Sequence, residues 1–420
     1  MNTEKSPEKI LDIVVFGATS FVGKLVCQYL VAQYGVDGEG GACTDERVKW
    51  GIGGRSELKL NELKKTLGED AELLPVVVAD AESEADLHSL CARSRVIVST
   101  VGPYALYGSP LVKVCVETGT DYCDLTGEPQ WICEMIRRYE GAAKDSGARI
   151  VHSCGFDSIP SDMGTWFLQQ HSAREYGETC SDVRMRVQIL KGGMSGGTIA
   201  SLLNLWKEEA KDPELQKTMA DSYSSCPADT ARNSGQRSIK RAEKDMDTQC
   251  WVGPFPMAPI NERMVLRSNA IAPYHEKFCY NEAIVTGSGF AGAFGAKALV
   301  ATGLIGKFAL RFPWLIRLLE NRVLPKPGEG PSAKEQAEGS FELRFFGTTI
   351  GGKKVAVKIS GDGDPGYSGT AKMLSQAAVS LALDISNAEK AGGFWTTATV
   401  FDGRLVERLE KYAEMNFEAL

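Results

Sequence analysis

The chain has 420 residues, of which 43% are apolar and 24% are charged, and its net charge is −7. A chain of this length exceeds one ordinary hydrophobic core, so we expect two domains. The acidic balance, without a basic run that carries interleaved aromatic residues, excludes a typical nucleic-acid-binding protein. The 11 cysteines and 4 histidines show neither a C-x-x-C pair nor a metal-ligand spacing. They predict a reducing, cytoplasmic location and no metal site.

A glycine-bounded turn follows the first apolar stretch of the chain. Residues 13–16 are Ile-Val-Val-Phe, and the sequence GATSFVG comes directly after them. A buried strand, a small-residue turn and a helix N-terminus form an anion site, because peptide N–H groups and the helix dipole favour negative charge. The spacing is G-x-x-S-x-x-G, so a tight turn without a ligand remains an open alternative. The residues predicted to bind a dinucleotide here are Gly17, Ala18, Thr19, Ser20, Phe21, Val22 and Gly23.

Strand and helix patterns alternate over residues 10–152. Helical spacing is clear at Glu57–Leu67 and Glu128–Lys144. This rhythm predicts an α/β fold, with an N-terminal doubly wound Rossmann domain whose ligand lies at the carboxyl ends of the strands. The predicted strands are Asp12–Phe16, Val48–Gly53, Leu74–Ala79, Val96–Thr100, Asp121–Asp124 and Arg149–His152.

The second predicted strand ends in Gly53-Gly54-Arg55-Ser56. A site for NAD places Asp or Glu here to hold the ribose 2′-hydroxyl, whereas Arg55 offers a guanidinium fork that suits a phosphate. A charge-assisted hydrogen bond of roughly 1.5–3 kcal/mol corresponds to about a ten- to hundredfold preference. We therefore predict NADP(H) as the cofactor, with Arg55 and Ser56 among its contacts. An arginine that is merely exposed on the surface is the alternative.

The third and fourth predicted strands also end in polar or glycine-containing loops. Asp80 is interpreted either as a contact to the adenine edge or as a helix N-cap. A Gly-Pro turn after the fourth strand is predicted to lie beneath the cofactor, which places Tyr104 and Tyr107 beside the nicotinamide. Tyr104 is the first candidate proton donor and Tyr107 the second, and simple packing of both rings is the alternative. The predicted cofactor contacts in these loops are Asp80, Val101, Gly102 and Pro103.

Residues 153–420 are predicted to form a second, α+β domain that binds the substrate. The run HSCGFDSIPSD after the sixth strand is typical of a loop lining an active site, and Asp157 is either a substrate contact or a helix cap. Ser195 and Thr198 lie in a glycine-rich segment, Lys191–Ser201, and are further candidate substrate contacts. The stretches Phe341–Phe346 and Lys354–Ile359, joined by two glycines, predict an antiparallel sheet.

Two segments differ in composition from their surroundings. Residues 207–250 are polar and lack periodicity, which predicts a mobile insertion, either a lid or plain surface. Residues 284–326 are rich in Gly and Ala and, from Ala291 to Lys326, hold six basic residues against one acidic residue. A central lysine costs roughly 2.5–3.5 kcal/mol in a spanning helix, so contact with a membrane surface is favoured over crossing. A buried helix pair or a dimer contact is the alternative.

Five motifs occur in an order that resembles the saccharopine dehydrogenase-like oxidoreductases, in the subgroup of trans-acting enoyl reductases. They are GATSFVG, GGRS, STVGPYALYG, DYCDLTGEP and HSCGFDSIPSD. The resemblance continues through Lys191–Ser201, Pro325–Ser332 and Asp362–Tyr367, and thus covers nearly the whole chain. It implies an NADP-binding Rossmann domain and a mixed α/β domain. It also implies reduction, in trans, of a carbon–carbon double bond on an acyl chain that a polyketide synthase carries during lipid or glycolipid assembly. Ser20 departs from the glycine that many members have.

The sequence therefore predicts an NADPH-dependent reductase of a lipid-like enoyl compound, cytoplasmic or peripheral to a membrane, with a homodimer left open. A first alternative is a non-catalytic NADP-binding protein that docks on lipid or on a partner enzyme. A second is a dehydrogenase of an amino-acid-derived imine, which requires arginines that clamp carboxylates. The arginines to examine for such a clamp are Arg184, Arg186, Arg263 and Arg267.

Overall fold

The computed structural model describes residues 11–36, 38, 40–41, 43–192, 205, 208–209, 211–309 and 330–420. In chain order, the helices and strands of these residues begin with β1 (Leu11–Phe16), α1 (Phe21–Tyr34), β2 (Trp50–Gly54), α2 (Glu57–Leu67), β3 (Val76–Val78), α3 (Glu84–Arg93), β4 (Ser94–Ser99), α4 (Tyr104–Tyr107), α5 (Ser109–Thr118), β5 (Asp121–Asp124), α6 (Pro129–Ser146), β6 (Arg149–Val151), α7 (Ile159–Tyr176) and β7 (Cys180–Lys191). They continue with α8 (Pro213–Ala220), β8 (Glu243–Lys244), β9 (Trp251–Pro254), α9 (Ala258–Ile271), β10 (Cys279–Gly287), α10 (Gly289–Ala309), α11 (Ala333–Ala337), β11 (Ser340–Thr349), β12 (Lys354–Asp362), α12 (Thr370–Leu383), β13 (Gly393–Trp395), α13 (Thr397–Phe401), α14 (Gly403–Tyr412) and β14 (Met415–Ala419).

The described residues divide into two compact units. The first unit takes its residues from Met1–Thr126, Glu134–Phe156 and Tyr367–Ala413. The second takes its residues from Gly127–Cys133, Asp157–Gly366 and Glu414–Leu420. The predicted boundary at residue 152 differs from this division, because the chain returns to the first unit after residue 366.

The first unit contains a parallel sheet with the strand order β13-β6-β5-β4-β1-β2-β3. Strand β4 lies at its centre and β1 beside it, with Val15 of β1 opposite Ile52 of β2 and Val98 of β4. Most residues of β1 and β4 are buried, which agrees with their near-continuous apolar sequences, since helices cover both faces of a doubly wound sheet. The predicted Rossmann fold is therefore confirmed, and β13 is a strand that the sequence did not reveal.

The segment after residue 366 belongs to the first unit because α12 packs on its sheet. Nearly every residue of α12 is buried, and the helix contacts β1, β4 and β5. The Gln376 amide of α12 donates hydrogen bonds to the hydroxyls of Tyr29 and Tyr34 on α1, at 2.7 and 2.8 Å. Arg149 of β6 donates to the carbonyls of Leu381 and Ile385, at 3.1 and 2.7 Å. Residues 367–413 therefore belong to the first unit, and the polar Gln376 of the buried helix is hydrogen-bonded within that unit.

The second unit contains a mixed sheet with the strand order β14-β12-β11-β7-β10-β9-β8. Its central pair, β7 and β10, is parallel, and the other neighbouring pairs are antiparallel. Strands β11 and β12 form the predicted hairpin, with Gly352 at a φ of 80° in the turn. Helix α7 lies close to the sheet, since a Cβ added at Gly164 would be 2.4 Å from the Phe345 ring. The predicted α+β organisation with an antiparallel sheet is confirmed.

The polar segment 207–250, where the structure describes it, is anchored to the second unit. Asp212 caps α8 by accepting hydrogen bonds from the N–H groups of Glu214 and Leu215, at 2.9 and 3.2 Å. Asp245 is buried and pairs with Arg186, with an Nε–Oδ1 distance of 2.7 Å. Arg263 of α9 donates to main-chain carbonyls at the end of α8. The described part of the segment therefore has hydrogen-bond partners within the second unit, and its role as a mobile insertion or lid stays a prediction.

Candidate functional site

The turn between β1 and α1 has the close backbone approach that its glycines predict. Gly17 has a φ of 86°, and a Cβ on it would lie 2.8 Å from Thr100 and Val101 atoms. A Cβ on Gly23 would lie 2.3 Å from the Gly17 carbonyl oxygen. The N–H groups of Phe21 and Val22 precede the first intrahelical bond, which runs from Lys24 N to Ser20 O at 3.0 Å. The turn therefore has the shape and the donors of a pyrophosphate cradle.

Ser20 caps this helix and links the first and fourth strand ends. Its Oγ accepts a hydrogen bond from Gly23 N at 2.9 Å and lies 3.0 Å from Thr100 Oγ1. Thr100 Oγ1 donates to the Gly17 carbonyl at 2.9 Å, so the Ser20 hydroxyl is the donor of the pair. Ser20 thus stabilises the turn through hydrogen bonds to the chain's own groups. Thr100 was not predicted as a site residue, although STVGPY places it at a strand end.

Arg55 and Ser56 lie at the carboxyl end of β2, as predicted. Ser56 caps α2, and its Oγ accepts a hydrogen bond from Lys59 N at 3.4 Å. Arg55 is exposed and forms no ion pair with the residues that the structure describes. Its guanidinium is therefore not committed to a described carboxylate, which is the condition for binding a 2′-phosphate.

Asp80 lies in the turn that follows β3. Its Oδ1 accepts a hydrogen bond from Glu82 N at 3.0 Å, and its own N–H donates to Asp86 Oδ2 at 3.1 Å. The N-cap of α3 is Ser83, whose Oγ accepts from Asp86 N at 3.3 Å. The helix-cap interpretation of Asp80 is therefore wrong, and its contact with adenine stays a prediction.

Tyr104 bridges the carboxyl ends of β4 and β5. It is 4% exposed, and its hydroxyl donates to the Ser99 carbonyl at 2.9 Å and accepts from Leu125 N at 3.4 Å. The turn before it, Val101–Gly102–Pro103, contains a cis Gly102–Pro103 bond. Tyr107, at the end of α4, is 40% exposed. The proton-donor role of both tyrosines stays a prediction, and for Tyr104 it requires the hydrogen bond to the Ser99 carbonyl to break.

Asp124 organises two of the loops and was not singled out from the sequence. Its buried carboxylate accepts hydrogen bonds from Tyr122 OH at 3.0 Å and His152 Nδ1 at 2.7 Å. It also accepts from the main-chain N–H groups of Ser153 and Thr126, at 2.9 and 3.0 Å. Burial, and then the charge of Asp124, raise the pKa of Tyr122 well above its ordinary value, so that hydroxyl remains a donor. One carboxylate therefore fixes the loops after β5 and β6.

Cys154 lies beside this cluster and is fully buried. Burial is the main cause that raises the pKa of its thiol well above the ordinary value, and the neighbouring Cys123 raises it further. Because the thiolate is the nucleophile, a thiol held in its protonated form is a structural residue at neutral pH.

The predicted substrate contacts fall partly within the described residues. Asp157 precedes α7, whose N-cap is Ser158, so the helix-cap interpretation of Asp157 is wrong. Ser158 Oγ instead donates to Asn261 Oδ1 at 3.1 Å. Asp157 lies close to Gly127, where an added Cβ would be 3.7 Å from its carboxyl carbon. Its substrate role stays a prediction, and Ser195 and Thr198 lie outside the described residues.

The four arginines proposed for a carboxylate clamp are bound by acceptors of their own unit. Arg184 pairs with Asp247 at 2.6 Å and also with Asp182, and Arg186 pairs with Asp245. The guanidinium of Arg263 donates to main-chain carbonyls, and that of Arg267 donates to the carbonyl of Ser225. Their partners argue against the imine-dehydrogenase alternative, because a clamp needs guanidinium groups that are available to a ligand.

Comparison with known proteins places this site in a family. Residues 13–151 match the family model described as the saccharopine dehydrogenase NADP-binding domain. Proteins named trans-acting enoyl reductase from Mycobacterium tuberculosis and Mycobacterium ulcerans are each 34% identical, over 413 and 419 residues, and the matches cover 96% of this chain and of each relative. The chain belongs to the trans-acting enoyl reductase family. A further M. tuberculosis relative, whose name also contains trans-acting enoyl reductase, is 38% identical over 413 residues, which cover 95% of each chain.

The fold of this trans-acting enoyl reductase family member is shared with a solved structure. Saccharopine dehydrogenase (L-Glu forming) from Saccharomyces cerevisiae matches over 98% of this chain and 100% of its own, with a TM-score of 0.52 and 12% identity. At that identity the match concerns the fold alone. The predicted family resemblance is confirmed, and so is NADP(H) as the cofactor, since the N-terminal domain is an NADP-binding domain.

Proposed function

We propose that the protein is an NADPH-dependent enoyl reductase that acts in trans on an acyl chain carried by a synthase. The observation that carries this proposal is the full-length relationship, at 34–38% identity, to proteins named for that activity. The NADP-binding domain supports the redox part of it. Reduction of a carbon–carbon double bond, rather than of a carbonyl or an imine, is the specific reaction proposed.

The residues of the first unit fit the cofactor. The Gly17 and Gly23 turn would cradle the pyrophosphate, because an added Cβ at either position would occupy the space that the backbone needs. Arg55 would bind the 2′-phosphate. When bound, NADPH supplies the hydride for the reduction. The chain's own contribution is to hold and orient the reactants, and the loops that Asp124 fixes are suited to that because a preorganised loop loses little entropy on binding.

Reduction of an enoyl group also needs a proton for the carbon that does not receive the hydride. Tyr104 remains the first candidate and Tyr107 the second. The exposed Tyr107 side chain would meet a substrate directly, whereas the Tyr104 hydroxyl would first have to leave the Ser99 carbonyl. Asp157, Ser195 and Thr198 are the proposed substrate contacts.

The test is NADPH oxidation by the purified protein with enoyl thioesters on coenzyme A and on an acyl carrier protein, with the saturated thioesters as controls. We expect loss of NADPH absorbance only with the enoyl forms, and a product heavier by two hydrogens in mass spectrometry. Tight NADPH binding without turnover of any enoyl thioester would contradict the proposal and favour the non-catalytic alternative. Oxidation that depends instead on an oxo acid and an amine would identify an imine dehydrogenase.

The wider proposal concerns the setting of the reaction. A synthase-carried acyl substrate would place the protein in the cytoplasm, in lipid or glycolipid assembly. Contact between residues 284–326 and a membrane surface would bring the protein near the acyl chains of lipids. A homodimer is the proposed assembly. Light scattering on the purified protein tests the mass, and a monomer at micromolar concentration would contradict it.

A further inference from the structure

Helix α10 is anchored to the second unit along one side. Ala296 is fully buried, and the helix lies close to β9, since a Cβ added at Gly253 would be 3.0 Å from the Leu299 side chain. Thr286 Oγ1 donates to the Gly292 carbonyl at 2.8 Å, which ties the start of the helix to β10. The inward positions follow helical spacing, so one side of the helix is committed to the sheet.

The opposite side of α10 carries large apolar side chains in the solvent. Positions 290, 294, 301, 304, 305 and 308 share one face of a helix with 3.6 residues per turn. Five of these positions hold large side chains, which are Phe290, 88% exposed, Phe294, 69%, Leu304, 65%, Ile305, 67%, and Phe308, 57%. We call these five residues the outward stripe. A contiguous apolar surface of this kind marks an interaction site.

One charged side chain on this face, and the composition of the sequence that follows, indicate what the stripe contacts. Lys297 lies on the same face and is exposed. In the sequence alone, residues 291–326 hold six basic residues and one acidic residue, although the whole chain has a net charge of −7; residues 310–326 lie outside the described part of the chain. An apolar face beside concentrated positive charge is complementary to an anionic lipid surface. A lysine within the stripe is tolerated there because its long stem can lie along apolar surface while the ammonium stays in the polar layer.

Two other occupants fit less well. A symmetric contact with a second copy would place Lys297 on both sides of it, and like charges repel there. A spanning orientation is also disfavoured. The window Gly289–Gly306 is long and apolar enough to cross a membrane by length and composition, with a mean hydropathy of 1.4. It contains Lys297 near its centre, however, and its other side is bound to β9 and β10.

We propose that the outward stripe is a docking surface for anionic membranes, on which α10 lies in the interfacial plane with its phenylalanine side chains inserted beside the head groups. Burial of the rings supplies the apolar part of the binding, and Lys297 supplies attraction to lipid phosphate. Docking does not depend on the enoyl reductase activity, so the failure of one proposal leaves the other standing.

The test is flotation of the full-length protein with vesicles of phosphatidylcholine alone and vesicles of equal parts phosphatidylcholine and phosphatidylglycerol. We expect binding to the anionic vesicles, weakened by salt. The double substitution Phe290→Ser and Phe294→Ser should reduce that binding by at least about tenfold, since two exposed rings no longer enter the interface. Lys297→Glu should reduce it by about tenfold for anionic vesicles. The matched control is Leu58→Ser with Leu73→Ser, which removes two exposed apolar side chains, 71% and 68% exposed, from the first unit.

Far-UV circular dichroism and NADPH affinity should be the same for all variants, which separates lost docking from lost folding. Several results would overturn the proposal. One is an absence of binding to either vesicle, and another is equal binding by the Phe290/Phe294 variant and the wild type. Resistance to carbonate extraction would indicate a spanning helix. A lower oligomeric mass of the Phe290/Phe294 variant, without a change in flotation, would assign the stripe to contact between copies.

Discussion

Replacing Glu262 by glutamine should change how stability depends on pH. Glu262 lies on α9 and is 2% exposed. Its Oε2 accepts a hydrogen bond from Ser238, and its Oε1 is buried without a hydrogen-bond partner among the residues that the structure describes. Burial is the main cause that raises its pKa from 4.5 to about 8, and the nearby Glu282 carboxyl adds to the shift. The folded protein therefore keeps a proton on Glu262 at neutral pH.

The size of the effect follows from the two pKa values of Glu262. Its pKa in the folded state exceeds the value of 4.5 in the unfolded state, so its contribution to stability is complete below pH 4.5 and is lost as the pH rises to about 8. Each pH unit in that window costs about 1.4 kcal/mol. Between pH 5 and pH 8 the wild type should thus lose about 3–4 kcal/mol of unfolding free energy that the Glu262→Gln variant keeps. The amide has nearly the shape of the protonated acid, so the two proteins should be similar near pH 5.

The assay is urea unfolding of both proteins at several pH values between 5 and 8.5, followed by tryptophan fluorescence. The difference in unfolding free energy between variant and wild type cancels the titrating groups that do not interact with Glu262, and it retains Glu262 with its coupling to Glu282. The control is the same substitution at Glu276, an exposed glutamate, which shows what the loss of one surface charge does to stability. A difference for Glu262→Gln that stays constant within about 1 kcal/mol would refute the reasoning, because it would mean that the pKa of Glu262 is similar in both states.

Three further predictions concern the cofactor site. Arg55→Ala should weaken NADPH binding about ten- to hundredfold and leave NADH binding unchanged in fluorescence titrations, with Lys59→Ala as the surface control; equal losses for both cofactors would exclude a contact to the 2′-phosphate. Gly23→Ala would bring a Cβ within 2.3 Å of the Gly17 carbonyl oxygen, so it should lower the unfolding free energy by about 1–3 kcal/mol and weaken NADPH binding. A variant that matches the wild type in both measurements would show that the turn can widen. Tyr104→Phe should cost about 1 kcal/mol in stability because the Ser99 carbonyl loses its donor. If Tyr104 is also the proton donor, enoyl turnover should fall by at least about a hundredfold, and full turnover would end that assignment.

The sequence predicted those parts of the fold whose signals are local. The sequence predicted three consecutive elements, which are β1, the turn at Gly17 and the start of α1. It could do so because a buried strand, small residues and an apolar helix stripe follow one another within about one supersecondary unit. The position of Arg55 was predicted for the same reason, since a residue that directly follows β2 lies at the carboxyl end of that strand. By contrast, β13 has three residues, and its place in the sheet depends on pairing with β6, far away in the chain. Short strands with distant partners leave no periodic pattern.

The site residues missed by the sequence are those that act through distant partners. Asp124 ends a strand in a motif that was noted, but its function as an acceptor depends on His152 and Ser153, which reach it through the adjacency of β5 and β6. The position of Ser20 predicted that it contacts the dinucleotide. The pairing of β1 and β4 brings Thr100 beside it, and Thr100 Oγ1 then accepts the hydrogen bond from the Ser20 hydroxyl. Strand adjacency is a tertiary property, and one sequence contains no signal for it.

The same reasoning bears on the search for the proton donor. Position in the sequence ranked Tyr104 before Tyr107, although both follow the fourth strand. Packing separates them, since the Tyr104 hydroxyl is hydrogen-bonded at both its donor and an acceptor position, while the Tyr107 side chain is 40% exposed. A buried hydroxyl that holds two strand ends is costly to release, because the Ser99 carbonyl and the Leu125 N–H would both lose a partner. If turnover survives Tyr104→Phe, the experiment to follow is therefore the same substitution at Tyr107, whose hydroxyl is free of that structural cost.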